Sequence, residues 1–222
     1  MTEHPIVAAM LAEATGGIPR ELPRHRHALP REAVRASQAA RILIATAEVV
    51  AERGYAATSV AGIVRRAGVS SKTFYELYAD KEEAFLAAYA AIDVVIARMT
   101  EAALAHDDAH SMLRSGARSY LEQLAEEPAF TRTLVIEAVG AGPRVLERRA
   151  RAFREFAAAL AIPLDAARTA EGRAAETDEA MLLAMLGGIN ELVLGHLVER
   201  EPETLPELLP TVEELIVRIC FP

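Results

Sequence analysis

The 222-residue chain has one cysteine, Cys220, no tryptophan and only 5% aromatic residues. A single thiol excludes an intrachain disulfide, so a reducing cytoplasm is the expected setting. Lysine is nearly as scarce. Lys72 and Lys81 stand against 22 arginines, a bias that, with abundant alanine, points to a GC-rich bacterial source. Long apolar runs are missing as well: the longest nearly uncharged one, residues 180–189, meets Asn190 and Glu191 short of the roughly 20 residues a bilayer span requires. The start carries Glu3 and Glu13 and has no basic leader followed by an apolar run, so no secretory signal is expected.

Chemistry-bearing constellations are equally few. No serine or cysteine stands with a histidine in a recognisable nucleophile motif, and there is no pair of carboxylates in an apolar setting. Gly140-Ala141-Gly142-Pro143 lacks the preceding strand and the lysine of a phosphate loop. His106 and His110 stand four apart, a spacing that can share a metal on a helix, but Asp107, Asp108 and Ser111 read better as a loop and a helix start. A non-enzymatic protein without metal or cofactor is expected.

What is present is helix former and uneven charge. With 52% hydrophobic and 25% charged residues the composition is that of an ordinary globule, and abundant alanine favours helices. The net charge of −8 is not evenly spread. Residues 1–81 carry eleven Lys or Arg against eight Asp or Glu, for +3, which leaves −11 on the remainder. A basic reading head on an acidic body shows this asymmetry.

One stretch organises the chain, Thr58-Ser-Val-Ala-Gly-Ile-Val-Arg-Arg-Ala-Gly-Val-Ser-Ser-Lys-Thr-Phe-Tyr75. Val60, Ile63, Val64 and Ala67 form one apolar stripe at helical spacing, with Thr58 as the expected N-cap. Gly68 stops that helix, Val69 plugs inward, and Ser70 is placed to accept a backbone N–H bond of the next first turn. Two short helices joined so tightly share a core only by crossing steeply, the helix-turn-helix arrangement. The second helix buries Phe74 and Tyr78 and turns Ser71, Lys72 and Tyr75 outward.

Ala57-Thr58-Ser59-Val60, Ile63, Ala67-Gly68-Val69-Ser70, Thr73-Phe74-Tyr75 and Asp80-Lys81-Glu82 together resemble the DNA-binding domain of the tetracycline-repressor (TetR) family of transcriptional regulators, over about residues 39–89. The resemblance implies an all-α fold of about nine helices: a three-helix helix-turn-helix domain, then a helical ligand-binding and dimerisation domain. The expected boundaries are a flexible basic arm at 1–35, a DNA-binding domain at 36–81 and an effector-binding and dimerisation domain at 82–222. Carried over residue by residue, Ser71, Lys72 and Tyr75 match positions that reach base edges, whereas Thr73 and Lys81 match phosphate contacts. Thr58 and Ser70, at helix starts, can also meet phosphates. Arg24 and Arg26 on the arm are candidates for the minor groove. Two residues depart from the pattern: Leu77 stands where the family usually has a polar residue, removing one phosphate contact, and Tyr78 stands where Phe is usual.

Helix patterns with breakers between them fill the rest: 31–53, one long helix at 81–105, then 111–126, 129–139, 144–160 ending before Pro163, 178–199 and 205–219. The last two resemble half of a four-helix bundle completed by a second subunit. Met181, Met185, Gly188, Leu192, Gly195, Leu208, Val212 and Leu215 are accordingly the expected dimer interface. A small-molecule pocket is implied between head and dimer helices, with Tyr120, Phe130, Phe153, Phe156 and Asn190 as candidate lining. The implied function is sequence-specific transcriptional regulation, with repression the family default. A homodimer would bind a palindromic double-stranded DNA operator, be released by a small-molecule effector, and have no membrane partner. A DNA-organising role with the same head is the alternative.

Overall fold

The computed structural model describes residues 31–170, 172 and 177–221. The expected helix at Ile6 to Ala14 and the arm residues Arg24 and Arg26 lie outside the described residues. Within them the chain is all-α, with no strand. The helices are α1 (Arg31–Arg53), α2 (Val60–Ala67), α3 (Ser71–Leu77), α4 (Lys81–Tyr89), α5 (Ala91–Leu104), α6 (Ala109–Glu126), α7 (Pro128–Thr131), α8 (Ala138–Gly140), α9 (Pro143–Ala170), α10 (Glu179–Glu199) and α11 (Leu209–Cys220). A π-helical turn, Arg132–Glu137, joins α7 to α8, and a 3-10 helix, Pro202–Leu208, precedes α11.

The residues form two compact units, each drawn from separate stretches of chain. Unit 1 holds everything described up to Val94 together with Ala129–Val145; unit 2 holds Val95–Pro128 and Leu146 onward. The expected boundary at residue 81 therefore falls inside unit 1. Its core is one cluster in which Ile42 and Ala45 of α1, Ile63, Val64 and Ala67 of α2, Phe74 of α3 and Ala84 of α4 meet, with Ile42, Ile63, Phe74 and Ala84 wholly inaccessible. The apolar stripe read from the sequence is the face that α2 buries.

The returning stretch 129–145 belongs to the same unit through specific polar contacts. Thr133 Oγ1 donates to the Ala47 carbonyl at 3.3 Å, and Glu137 Oε2 accepts the Tyr55 N–H at 2.7 Å. Arg144 pairs with Glu82 at 3.4 Å.

In unit 2, α6 packs on the 3-10 helix and on α11, and α10 packs on the same two elements. Leu121, Leu124, Leu182, Met185, Val193, Leu205 and Val212 are buried there. At Gly116, α6 lies against α5, with Met99 O 3.5 Å and Ala103 Cβ 3.8 Å from where a side chain would begin, ordinary contact distances. Asp108 caps α6 by accepting the Ser111 N–H at 2.8 Å, which makes 106–111 the loop and helix start expected of it. That bond, with a second from the Ser111 side chain, holds the Asp108 carboxyl below its usual range.

Several expected boundaries shift. The single helix expected at 81–105 divides at Ala90, where Asp93 N–H bonds back only three residues, to Ala90 O, at 3.0 Å. Pro163 does not end the helix that contains it: α9 continues to Ala170, because a proline removes one bond while the alanine-rich turns around it keep theirs. The helix expected at 178–199 is present, but the apolar stretch in it extends past the 180–189 run that reads as too short to cross a membrane. It is part of α10, which by length and composition is long and apolar enough to cross a membrane and has one third of its most apolar window buried.

Candidate nucleic-acid interface

Local chemistry sets the turn between α2 and α3. Gly68 takes φ 63 and ψ 38, and its N–H bonds Val64 O. Val69 N–H reaches the same carbonyl at 3.1 Å. These bonds satisfy the end of α2 while the chain reverses, a conformation that glycine adopts without a Cβ penalty. Ser70 then opens α3, its Oγ accepting the Thr73 N–H at 3.0 Å and lying 2.9 Å from Thr73 Oγ1.

With seven residues, α3 has little stability of its own. It is fixed by Phe74, which is fully buried with its ring edge-on to Tyr75 at 5.4 Å and tilted against Tyr78 at 5.8 Å. Burial pushes the Tyr78 phenol up to about 12, with the Glu83 carboxylate adding to the shift. Leu77 packs against the unit 1 core instead of facing outward, which accounts for an apolar residue where a polar one is usual. On the opposite face Ser71, Lys72 and Tyr75 are exposed, Tyr75 at 59%. Lys72 has only a loose pairing to Glu76, at 3.8 Å. The three expected base-reading residues thus share one free face of a helix whose back is anchored.

Two residues expected at the DNA are engaged within the fold, and one cap is corrected. Thr58 is not the cap of α2; Ser59 is, its Oγ accepting the Gly62 N–H at 3.2 Å. Thr58 is 5% exposed and its hydroxyl donates to Gly54 O at 2.8 Å, so it has neither the surface nor a spare proton for a phosphate. The Lys81 ammonium is also engaged. It donates to the carbonyls of Tyr55 at 2.9 Å, Thr58 at 3.1 Å and Ala56 at 3.5 Å, and lies 4.4 Å from the centre of the Tyr55 ring. An ammonium has three donors, and here each has a carbonyl. Lys81 ties α4 to the α1–α2 loop, and a phosphate would have to displace those bonds.

Glu137 grips the same loop through Tyr55 N–H, while the Tyr55 ring meets Phe85 edge-on at 5.1 Å. No local sequence signal marks Glu137, which lies 82 residues from its partner. Arg35 of α1, whose Nη2 donates to Glu76 O at 3.4 Å beside α3, was also missed; its spacing from Arg31 and Gln38 on one helical stripe is the signal that could have found it.

Away from the head, the candidate effector residues separate. Phe130 lies in unit 1 and is 2% exposed, so it is core. Tyr120, Phe153, Phe156 and Asn190 are half-buried in unit 2, with the Arg149 guanidinium 4.4 Å above the Phe153 ring. Of the candidate dimer residues, Met185 and Val212 are buried by their own subunit, at 1% and 0% exposure, and have no surface to offer a partner. Gly188 is already approached by Leu215 of α11 at 3.4 Å. Met181 and Gly195 are exposed, and Leu192, Leu208 and Leu215 are half-buried.

Residues 42–88 match the family model described as bacterial regulatory proteins, tetR family. No curated protein matches the chain. Among solved structures, the fold is similar to the transcriptional regulator FadR from Bacillus subtilis in complex with stearoyl-CoA, at 20% identity and TM-score 0.67, covering 80% of this chain and 96% of that one. It is also similar to the fatty acid degradation regulator FadR from Bacillus halodurans, at 17% identity and TM-score 0.72, covering 86% and 97%. A tetR-family regulatory protein from Rhodococcus RHA1 matches at 23% identity and TM-score 0.60, covering 80% and 96%. The matched segment lies on α1 to α4, so unit 1 carries a segment similar to the DNA-binding domain of the tetR family, and the described residues share the all-α fold of these solved structures.

Proposed function

We propose that this protein is a cytoplasmic, non-enzymatic repressor that binds a palindromic operator as a homodimer and leaves it when a small molecule occupies unit 2. The observation that carries the reading is the free face of α3, where Ser71, Lys72 and Tyr75 stand exposed on a helix held from behind by Phe74. Lys72 can donate to guanine O6 and N7, and Ser71 and Tyr75 to other base edges or phosphates.

Dimerisation is supported by α10. Its outer side leaves Met181 at 48% and Val198 at 76% exposure, and a side chain at Gly187 or Gly195 would meet nothing within 4 Å. An apolar helix with so little of itself covered is stabilised by a second copy, and two recognition helices about 34 Å apart then read two half-sites. The effector reading is supported by the half-buried aromatics Phe153 and Phe156 on α9, next to the arginines at 148, 149, 151 and 154. Such a surface suits an apolar chain on an anionic carrier. The similar fold solved with stearoyl-CoA makes that compound the first to try. Three chain crossings join the units, after residues 94, 128 and 145, and a ligand acts through them only by its differential affinity for two conformations.

The test is selection of bound sequences from a randomised duplex pool with the full chain and no ligand. A palindrome with half-sites one turn apart is expected, with loss of binding on adding stearoyl-CoA. Failure to enrich any sequence would overturn the operator reading, and a bound ligand without effect on affinity would overturn the release mechanism.

A further inference from the structure

An open trough of about 440 Å³ runs along the flank of α3, between it and α1. On the α1 side Arg31, Arg35 and Gln38 line it, at offsets of zero, four and seven on one stripe; on the α3 side are Thr73, Glu76 and Leu77. Arg31 and Arg35 are exposed, and Arg35 already reaches over to α3 through Glu76 O. We propose that this trough holds a phosphodiester of the operator backbone, with Arg31 and Arg35 supplying the contact that Leu77 cannot make. The proposal rests on the DNA-reading function above and extends its contact set to α1.

The geometry follows from sizes. A helix with its side chains is about 10–12 Å across and the major groove about 12 Å wide, so a recognition helix seated there brings its flanks against the two phosphate walls. Thr73, Glu76 and Leu77 form such a flank, about a third of a turn from the face that carries Lys72 and Tyr75. Leu77, partly packed against the core and partly lining the trough, has nothing to donate. The Glu76 carboxylate would oppose a phosphate, but Lys72 Nζ lies 3.8 Å from it, while the two guanidiniums one turn apart carry the excess positive charge. Guanidinium forks match phosphate oxygens in pairs, and the Gln38 amide adds a neutral donor.

The experiment uses the full chain and the operator recovered by selection. Binding is measured against salt for the wild type, Arg31→Gln, Arg35→Lys and the double variant Arg31→Gln/Arg35→Gln, alongside ethylation interference on the duplex and thermal melting. The double variant is expected to flatten the slope of log K against log salt by about 1.8, since each of the two heads of the dimer loses one neutralised phosphate and each phosphate contributes about 0.9. The affinity lost between 50 and 200 mM salt then shrinks by roughly 12-fold. Arg31→Gln alone, which breaks no bond to α3, is expected to flatten it by less than the double variant because Arg35 stays on the same phosphate, and Arg35→Lys to keep the wild-type slope. The preferred sequence stays the same, and a phosphate whose ethylation blocks the wild type no longer matters to the double variant. An unchanged slope in Arg31→Gln and the double variant with an unchanged melting temperature would overturn the proposal, as would a changed sequence preference, which would make these arginines base readers. A wild type that selects no sequence would instead overturn the DNA-reading function, and the trough assignment with it.

Discussion

Glu137→Ala isolates the hold that the returning segment 129–145 has on the α1–α2 loop. Its carboxylate accepts the Tyr55 N–H at 2.7 Å in a part-buried setting, beside the turn in which Gly54 takes φ 77. Hydrogen bonds to a charged acceptor are about twice as strong as neutral ones, and a donor left without its partner costs about 1–3 kcal/mol. Partial exposure of the loop lets water recover some of this, so about 1–2 kcal/mol is expected, which at 1.36 kcal/mol per decade corresponds to opening about 5–30 times more frequent. Amide hydrogen exchange at Tyr55 reads that quantity directly. It should accelerate by this factor, while Val49 and Val50 amides within α1 stay protected, because Thr133 still bonds Ala47 O. Glu137→Gln keeps an acceptor without the charge and should fall between the two. Unchanged exchange at Tyr55 would refute the reasoning, and an equal acceleration across α1 would mean that the whole unit had loosened instead.

Lys72→Ala is expected to relax base preference at one position by about 1–3 kcal/mol in selection experiments. Lys81→Ala should lower the melting temperature, since it frees three loop carbonyls, and leave the salt slope nearly unchanged; a full unit lost from the slope at constant stability would return Lys81 to the phosphate contacts. Gly68→Ala places a Cβ 3.8 Å from the Arg41 side chain, without a clash, so only the left-handed φ of 63 opposes it; about 1–2 kcal/mol of stability should be lost in denaturant titration. Tyr78 keeps its proton up to about 12 in the folded chain. Because this folded value lies above the ordinary one near 10, the stabilisation is complete below pH 10 and lost as pH rises through 12. Ultraviolet titration of Tyr78→Phe should lack that late step, and its persistence would assign it to another tyrosine.

The head was legible because local rules decide it. The stripe of Val60, Ile63, Val64 and Ala67, the left-handed glycine and the Ser70 cap each act within one or two turns, and the packing of α1 to α4 follows the same stripe. Errors at its margin came from choosing between neighbours of like chemistry, since Thr58 and Ser59 are both cap residues and only the backbone geometry selects Ser59. What stayed hidden depends on contacts distant in sequence: the carbonyls around Lys81, the reach of Glu137 to Tyr55, and the burial of Phe130, Met185 and Val212 within their own units. Apolar residues on an all-round apolar helix such as α10 give no phase, so core and outer face could not be told apart there. The π-helical turn at Arg132–Glu137 adds one residue to the local ring and displaces every later side chain by about 100°, which no apolar pattern revealed.

Unit 1 is woven from two stretches of chain, and so the reader cannot be treated as a cassette. A fragment cut after residue 94 would keep all of α1 to α4 yet uncover the side of α1 against which Thr133 rests, and would leave Tyr55 N–H without its acceptor. Grafting this head onto another body therefore means supplying a surrogate for residues 129–145, whereas an exchange of the outward side chains on α3 requires nothing of the host.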